Sequence, residues 1–264
     1  MTDAAKDAGA QLHDALAWLR ARAGRGGRLC IDSRDVRPGD IFVALKGARV
    51  DGLAFAPVAA AHGAKGILME RRPEPALPTG PLPRYELEGL GRRLGEVAAD
   101  FYGRPSERMM GIAVTGTNGK TSCSHWIAQL LTAMHHPCAA VGTIGCYLQG
   151  RRLDTAALTT PDAVSMHDLL ARLYAEGCQA FALEASSIGL AQGRLQAVRF
   201  HTAVFTNLTR DHLDYHGTMQ AYEEAKAELF AWHRLRAAVI NADDPAGLRL
   251  IAQCKARKLR VIAY

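Results

Sequence analysis

The sequence predicts an α/β protein of two domains, and three observations support this fold class. Short apolar runs alternate with helical patterns, which favours a mostly parallel sheet covered by helices. The segment 109–132 reads as a strand, a small polar loop and a helix. The stretch Gly-Arg-Pro-Ser at 103–106 has the composition of a linker. We therefore predict a small N-terminal α/β domain over 1–106 and a larger central domain over 107–264.

The first domain combines short apolar runs with two or three helical patterns. Leucines at helical spacing predict an opening helix near 10–23, and further helical patterns lie at 55–61 and 90–101. Apolar runs predict strands at 29–31, 41–45 and 67–69, and a proline-rich surface loop spans 71–83. This domain should have a core of its own.

The second domain begins with an apolar run, 109–114, that has the length of a buried strand. Later runs predict strands at 139–141, 181–183, 203–205, 237–240 and 261–263, with helices near 164–175, 219–232 and 247–255. On the helix that follows 119, we expect one buried apolar face, formed by Trp126, Ile127, Leu130, Leu131 and Met134. The last apolar run ends at Tyr264 without a closing helix, so we expect a domain that is incomplete at its C-terminus.

The loop after the first strand of this domain reads Gly-Thr-Asn-Gly-Lys-Thr from Gly116 to Thr121. Glycines let backbone N–H groups approach phosphate oxygens, and the helix N-terminus adds its positive dipole end. Lys120 would neutralise the outer phosphates, and the Thr121 hydroxyl would hold Mg²⁺. Val114 stands where the general motif has a further glycine, so this is a shorter phosphate-binding loop (P-loop). The alternative is a strand–turn–helix corner with an incidental lysine.

Polar residues close five of the predicted strands, namely Thr115, Thr143, Glu184, Asn207 and Asn241. In parallel sheets, ligands bind beyond the carboxyl ends of the strands, so these groups should meet the P-loop at one edge. Glu184 follows a buried strand, and we predict that it completes Mg²⁺ coordination with Thr121. The alternative for Glu184 is a buried ion pair with a nearby Arg or Lys.

The loop 207–217 contains two histidines and two aspartates. The sequence lacks His-Glu-x-x-His and a nearby cysteine, which argues against structural zinc. For His212 we weigh a ligand role toward a second Mg²⁺ or Mn²⁺ against contacts to phosphate, and for His216 we expect a bond to backbone. A separate set of loop residues could hold a carboxylate or phosphate: Thr159, Thr160, Ser186, Ser187, Gln192 and Arg194.

Composition narrows the class of ligand and the compartment. The 264 residues carry a net charge of +6, but the arginines are scattered, which favours a polyanionic small molecule over nucleic acid. The six cysteines form no Cys-x-x-Cys pair, which is typical of thiols in a reducing compartment. No stretch has the length or composition of a signal peptide or membrane span, so we expect a cytoplasmic protein without membrane insertion.

Seven segments in order resemble the Mur ligase family, and the resemblance covers nearly all of the chain. They are Asp-Ser-Arg at 32–34, Pro-Gly-Asp-Ile-Phe-Val-Ala at 38–44, the P-loop, Leu-Thr-Thr-Pro-Asp at 158–162, Glu-Ala-Ser-Ser at 184–187, Asn-Leu-Thr-Arg-Asp-His-Leu-Asp-Tyr-His-Gly at 207–217 and Ala-Lys at 225–226. The 211–217 segment resembles the corresponding segment of the family branch that adds the third amino acid to the muramoyl-peptide.

The resemblance implies a small UDP-binding domain, a central ATPase domain and a third, C-terminal domain that this sequence lacks. It implies ATP-dependent amide synthesis with Mg²⁺, in which ATP phosphorylates the D-Glu side-chain carboxylate of UDP-MurNAc-L-Ala-D-Glu. The amine of a diamino acid, meso-diaminopimelate in preference to L-lysine, then attacks the acyl phosphate. We expect this piece alone to be inactive. A monomer is favoured.

The resemblance also assigns roles to individual positions. It implies that the UDP contacts Ser33, Ala48, Arg49 and Val50. ATP would bind to Gly116, Thr117, Asn118, Gly119, Lys120, Thr121 and Ser122, with Asn241 near the adenosine. The muramoyl-peptide would be held by Thr159, Thr160, Ser186, Gln192 and Arg194. The catalytic set would be Lys120, Glu184, His212 and Lys226, with one Mg²⁺ on Thr121 and Glu184 and the other on His212 and a carbamylated Lys226. Ile188 departs from the family, where many relatives have His.

The helical pattern around Lys226 gives a separate reason to single it out. On a helix over 221–232, Lys226 falls in the middle of an apolar stripe with Tyr222, Ala225, Leu229 and Phe230. A desolvated lysine loses its charge more easily, and a neutral amine can add CO₂. The alternative is a lysine whose stem covers apolar surface while its head extends to water.

Two other functions compete with the Mur ligase prediction. One is a folylpolyglutamate-synthetase-like ligase, which shares this type of P-loop but lacks the N-terminal UDP domain. The other is a P-loop nucleotide-binding regulator without synthetic activity. The segment 32–45 argues against the first, and Lys226 with the polar strand ends argues against the second.

Overall fold

The structure is a computed structural model that describes residues 3–47, 50–72, 80–154 and 158–264. The chain forms two compact units, Met1–Gly103 and Arg104–Tyr264, whose border lies within the predicted linker. The predicted α/β fold class is confirmed. Among the described residues, no helix has both the length and the apolar character needed to cross a bilayer.

The first unit is a four-stranded parallel sheet with helices around it. Its strands lie in the order β1-β2-β3-β4. In chain order the elements are α1 (Asp3–Arg22), β1 (Leu29–Cys30), β2 (Ile41–Ala44), a 3-10 helix (Gly52–Phe55), α2 (Ala56–Ala61), β3 (Gly66–Glu70), β4 (Arg84–Leu87) and α3 (Leu90–Phe101). Strand β4 was not predicted, because it alternates charged and apolar residues and lies at the edge of the sheet, where polar side chains reach solvent.

One part of the core of the first unit lies between the sheet and α2. Phe42 and Ile67 on neighbouring strands pack together with Leu53, Ala56 and Ala59. All five side chains are almost completely buried. Every residue of β2 and the first four of β3 are buried, so helices cover both faces of this parallel sheet.

The second unit contains an eight-stranded sheet in the order β12-β11-β10-β5-β9-β6-β7-β8. Its elements are β5 (Met110–Thr115), α4 (Lys120–Ala133), β6 (Cys138–Gly142), β7 (Gly145–Leu148), β8 (Arg151–Asp154), α5 (Ala163–Ala175), β9 (Ala180–Glu184), α6 (Ser187–Ala191), β10 (Thr202–Phe205), α7 (Leu213–His216), α8 (Met219–Ala227), β11 (Ala237–Ile240), α9 (Pro245–Ala256) and β12 (Arg260–Ala263). Short 3-10 helices lie at Pro105–Glu107 and Glu228–Ala231.

The strand pairing brings the predicted polar strand ends to one edge. Strand β5 lies between β9 and β10, and all three are parallel. The register pairs Val114 with Glu184 and Thr115 with Phe205, so the carboxyl ends of these strands are level. Strands β7 and β8 form an antiparallel extension that the sequence analysis missed. The sheet is therefore mostly parallel, as predicted.

Helix α4 packs on the sheet with a different face from the predicted one. Trp126, Leu130 and Met134 are 63–64% exposed, whereas Ser124 and Ala128 are buried. The strands beneath carry small side chains, including Ala140 and Ala182, so the helix approaches closely through its own small residues. The predicted apolar face was therefore wrong for three of its five members, and only Ile127 and Leu131 pack against the sheet.

Candidate functional site

The loop between β5 and α4 is fixed by the end of strand β10. The backbone N–H groups of Thr117 and Asn118 donate to the carbonyl and side-chain oxygens of Asn207, at 2.8 and 2.9 Å. The Thr206 hydroxyl donates to the carbonyl of Asn118 at 2.6 Å. Gly116 has a φ of +145°, and a Cβ there would collide with the Thr206 hydroxyl. Only glycine therefore allows the loop to pass this close to β10.

Lys120, at the start of α4, is folded back onto the loop. Its Nζ donates to the carbonyls of Gly116 and Thr117, at 2.9 and 2.8 Å. Burial lowers the pKa of this ammonium, while the nearby carboxylates of Glu184 and Asp211 oppose that shift. The side chain thus lines the cavity while its amine is bonded to the loop backbone.

Lys226 on α8 is buried beside the same loop. Only 2% of it is exposed, and its Nζ donates to the Gly116 carbonyl at 2.9 Å. The Nζ also lies 4.2 Å from the centre of the Tyr222 ring. Burial, followed by the positive charge of Lys120, lowers the pKa of Lys226 to about 7. The alternative in which this side chain extends to water was wrong, because the whole stripe around it faces the interior.

Glu184 ends β9 with its carboxylate inside the protein. The side chain is 1% exposed, and its two oxygens accept hydrogen bonds from the Thr143 N–H at 2.9 Å and the Thr143 hydroxyl at 3.1 Å. A Cβ at Gly142 would collide with this carboxylate, so the missing side chain makes room for it. In the described part of the chain, no Arg or Lys forms an ion pair with Glu184, contrary to the alternative considered from sequence.

The loop 207–217, which we call the histidine loop, contributes His212 to the site and places His216 behind it. His212 has a φ of +50°, an uncommon value for a residue other than glycine, and its side chain is half-exposed beside Asp211. His216 was expected to bond to backbone, but its Nε2 lies 3.0 Å from the Ser187 hydroxyl. The two rings lie at either end of the short helix α7, and both are in contact with the Tyr222 ring.

These groups converge on one cavity of about 260 Å³ in the second unit. It is lined by the P-loop, the end of β9 and the histidine loop, through Thr117, Asn118, Gly119, Lys120, Thr121, Thr143, Thr159, Glu184, Ser186, Ser187, His212 and Lys226. Most of the predicted central-domain residues are therefore together. Six of the predicted residues do not line it, namely Gly116, Ser122, Thr160, Gln192, Arg194 and Asn241.

Three of the residues predicted to hold the peptide form hydrogen bonds within the cavity wall, and their role toward a peptide stays a prediction. The buried Thr160 hydroxyl donates to the Glu184 carbonyl at 2.9 Å. The Arg194 guanidinium donates to the Thr160 carbonyl at 2.9 Å and to the Gln192 side-chain oxygen at 2.6 and 2.9 Å. Asn241 similarly donates to the Thr206 carbonyl at 2.9 Å. These contacts brace the loops that carry the cavity residues.

The residues predicted to contact UDP lie in the first unit. Ser33 is buried, and its carbonyl lies 2.9 Å from His62 Nδ1. Val50 is 53% exposed in a loop closed by the bond from the Gly47 N–H to the Val50 carbonyl. Ala48 and Arg49 lie outside the described residues, so their predicted role stays a prediction.

The donor set in the cavity suits a hard divalent cation. The described residues contain no group of three His, Cys, Asp or Glu side chains that could hold a metal by themselves. The Thr121 hydroxyl and the Glu184 carboxylate line the same cavity, and Mg²⁺ prefers such oxygens while keeping water and phosphate ligands. These residues fit Mg²⁺ bound together with a phosphorylated ligand.

One lining residue, Thr143, had no predicted role. It follows β6, and the sequence indicated only that it is a polar strand end. Ser187, at the start of α6, lines the cavity as one of the loop residues proposed from the sequence to hold a carboxylate or phosphate. The sequence shows only that Thr143 follows an apolar run. That this residue lies next to Glu184 depends on the pairing of β6 with β9, which comes from the tertiary fold.

Comparison with known proteins matches both units to one family. The description "Mur ligase family, catalytic domain" matches residues 28–102, and "Mur ligase middle domain" matches 114–264. A relative from Pseudomonas aeruginosa, named UDP-N-acetylmuramoyl-L-alanyl-D-glutamate--2,6-diaminopimelate ligase, is 48% identical over 225 residues, 85% of this chain and 46% of the relative. Relatives of the same name from Ralstonia nicotianae and Xanthomonas campestris are 46% and 51% identical, covering 94% and 85% of this chain and 49% and 45% of theirs.

Solved structures give the same result. A structure of a ligase with that name is similar with a TM-score of 0.74 and 35% identity, over 90% of this chain and 48% of the other. A MurF ligase from Thermotoga maritima in complex with ADP shares the fold at 22% identity and a TM-score of 0.63, over 89% of this chain and 49% of the other. The chain spans about half the length of the curated relatives it matches. With both units matched in order, the chain belongs to the Mur ligase family.

Proposed function

We propose that this chain forms the UDP-binding and ATP-binding parts of a ligase that adds 2,6-diaminopimelate to UDP-MurNAc-L-Ala-D-Glu. The observation that carries the proposal is the convergence of Lys120, Thr121, Glu184, His212 and Lys226 on one cavity beside the P-loop. The names of relatives at 46–51% identity support the choice of diaminopimelate over L-lysine.

The P-loop would hold the phosphates of ATP. Residues 117–121 of the predicted ATP-binding segment 116–122 line the cavity, where backbone N–H groups and the start of α4 would attract phosphate oxygens. Lys120 would leave the Gly116 and Thr117 carbonyls to contact the outer phosphates. Asn241 is proposed to lie near the adenosine, since it follows β11 next to the end of β10.

Mg²⁺ would be held by Thr121 and Glu184, and a second ion by His212 and a carbamate on Lys226. Bound Mg²⁺ neutralises charge that develops on the transferred phosphoryl group. Thr143 would keep the Glu184 carboxylate aimed into the cavity through its two hydrogen bonds. The orientation of Glu184 is thereby fixed before any ion binds.

Lys226 is proposed to react with CO₂. Its neutral amine forms a C–N bond to CO₂ and releases a proton, which converts a cationic side chain into an anionic carbamate. The buried position and the lowered pKa favour the neutral amine that this reaction needs. A negative group would then replace one of two neighbouring positive charges beside the phosphate site.

The muramoyl-peptide would enter past Thr159 and Ser186, which line the cavity. The D-Glu side-chain carboxylate attacks the γ-phosphorus of ATP, ADP leaves, and the amine of diaminopimelate displaces phosphate from the resulting acyl phosphate. Thr160, Gln192 and Arg194 would brace this wall. In the first unit, Ser33 and the loop 48–50 would contact the UDP moiety. The proposed compartment is the cytoplasm, consistent with the six unpaired thiols of the chain.

The test is an assay of the full-length protein that contains these residues. ATP-dependent phosphate release should require UDP-MurNAc-L-Ala-D-Glu and diaminopimelate, with L-lysine much less effective. Mass spectrometry should detect the UDP-MurNAc-tripeptide. Lys226→Ala should be nearly inactive and should recover partly in acetate, because a small carboxylate can take the place of the carbamate.

Two results would count against the proposal. Phosphate release that needs dihydropteroate and glutamate would favour the folylpolyglutamate-synthetase-like alternative. ATP binding without any substrate-dependent turnover would favour a nucleotide-binding regulator. For the first unit, titration of UDP into the chain should shift the amide signals of Ser33 and Val50, and unchanged signals would contradict the proposed UDP site.

A further inference from the structure

We propose that Tyr222 is a positioning residue that couples the P-loop to Lys226. This inference rests on the proposed function, since it assigns a role within the same nucleotide site. Tyr222 is a fully buried residue of α8 that does not line the cavity. Its hydroxyl nevertheless contacts the P-loop, and its ring contacts the amine of Lys226.

The hydroxyl end of Tyr222 lies 3.2 Å from the Thr117 hydroxyl. Thr117 already accepts a bond from the Thr209 N–H at 2.9 Å and has the Thr209 carbonyl 3.2 Å away as an acceptor. If the single Thr117 proton is donated to that carbonyl, Tyr222 must be the donor to Thr117. This arrangement satisfies both hydroxyl groups and ties α8 to the second residue of the P-loop.

The ring of Tyr222 faces the amine of Lys226. The two residues are four apart on α8, so their side chains lie on the same face of the helix. The Nζ is 4.2 Å from the ring centre, and its hydrogen bond to the Gly116 carbonyl holds it from the other side. The ring therefore limits where the amine, or a carbamate formed on it, can lie.

The same ring also contacts the histidine loop. Its centre lies 5.3 Å from that of His216 and 6.1 Å from that of His212. His216 in turn contacts the Ser187 hydroxyl in the cavity wall. The Tyr222 side chain thus contacts the P-loop, Lys226 and the histidine loop. Removing its hydroxyl and removing its ring should therefore have different effects on the site.

The experiment compares Tyr222→Phe and Tyr222→Leu in the full-length protein, with Tyr174→Phe as the control. Tyr174 lies on α5, is 42% exposed and does not line the cavity. Tyr222→Phe removes one hydrogen bond and keeps the ring, so KM for ATP and Kd for ADP should rise about 5-fold while kcat changes less than 2-fold. The carbamate signal, measured by ¹³C NMR after labelling with ¹³CO₂, should remain.

Tyr222→Leu should additionally lose most of the carbamate signal, and kcat should fall at least 10-fold. If Tyr222→Leu does not fold, the split between KM and kcat in Tyr222→Phe still decides the question. Unchanged KM and Kd in Tyr222→Phe would overturn the inference. So would equal changes in KM and kcat accompanied by a lower Tm, because these indicate a purely structural residue. If the unmodified protein binds no ADP, the proposed function itself fails, which is a different result.

Discussion

The two units differ in what their charged side chains contact. In the first unit, the buried Asp40 accepts bonds from the Arg28 guanidinium at 2.7 Å and from the Arg28 and Arg37 N–H groups at 2.8 and 3.0 Å. Asp51 is likewise paired with Arg72, which lowers the pKa of this carboxyl group. Each charge has an opposite charge beside it.

In the second unit, the hydrogen-bond partners of three charged side chains are neutral groups. The half-buried Lys120 and the buried Lys226 both donate to the Gly116 carbonyl, and the buried Glu184 accepts from Thr143. Within the described ranges, none of these three charged groups forms an ion pair. Charged groups taken out of water without an ion-pair partner cost stability, so they persist where a ligand supplies the missing charge. The first arrangement is structural and the second is suited to binding, and the predictions below test this difference.

The largest effect is expected at Lys120. Lys120→Ala removes the cation nearest the proposed phosphate site, so ATP turnover by the full-length protein should fall by about 10²–10³-fold. The exposed Lys255 on α9 is a matched control, and Lys255→Ala should keep normal turnover. Steady-state phosphate release measures both variants. Turnover within threefold of the unmodified protein for Lys120→Ala would contradict a role at the phosphates.

Asp40→Ala should destabilise the first unit by about 3 kcal/mol, because it removes the carboxylate that pairs with the Arg28 guanidinium and accepts from the Arg28 and Arg37 N–H groups. Urea unfolding followed by hydrogen exchange in β2 and β3 reports on this unit separately. Asp35→Ala, at an exposed carboxylate, should change stability by less than about 0.5 kcal/mol. Similar effects of the two substitutions would mean that the Asp40 pairing is not structural.

Lys226→Met should have the opposite sign and stabilise the metal-free, CO₂-free second unit by about 1–3 kcal/mol at pH 6. The pKa of Lys226 is about 7 in the folded state and 10.5 for an ordinary lysine. Between these values the unfolded state binds more protons, so the unmodified chain gains stability as the pH rises. The advantage of Lys226→Met should therefore be full below pH 7 and shrink toward pH 10.5.

Urea unfolding at pH 6, 8 and 9.5 measures this trend. Lys255→Met, at an exposed lysine, provides the pH-independent reference. A destabilised Lys226→Met variant at pH 6 would show that the buried ammonium contributes net stability, and the contrast between the two units would then fail.

The sequence predicted those features of the fold that depend on local patterns. The strand–loop–helix segment was predictable because an apolar run, two glycines and a helix start lie within a short stretch. The burial of Lys226 was predictable from two features together: its apolar neighbours recur at helical spacing, and its helix follows the His212 loop at the edge of the sheet where ligands bind. Strand β4 was missed because an edge strand tolerates charged residues such as Arg84 and Glu86.

Other features depended on contacts across the fold. The buried face of α4 is centred on Ser124 and Ala128, since the strands below it have small side chains that no local pattern of α4 reveals. Thr143 supports Glu184 only because β6 pairs with β9. Thr160 and Arg194 were predicted as ligand contacts, but they bond to the backbone behind the cavity wall.

The smallest expected effect is at Glu184, where the contrast between the units is sharpest. Its carboxylate is oriented by Thr143 and by the missing side chain of Gly142, and it forms no ion pair among the described residues. Glu184→Ala should therefore raise the Mg²⁺ concentration at half-maximal turnover by about 10-fold, with turnover largely restored at saturating Mg²⁺. Glu224→Ala, at an exposed position of α8, is the control and should leave the Mg²⁺ titration unchanged. An unchanged Mg²⁺ requirement in Glu184→Ala would mean that this carboxylate serves the structure, as Asp40 does in the first unit.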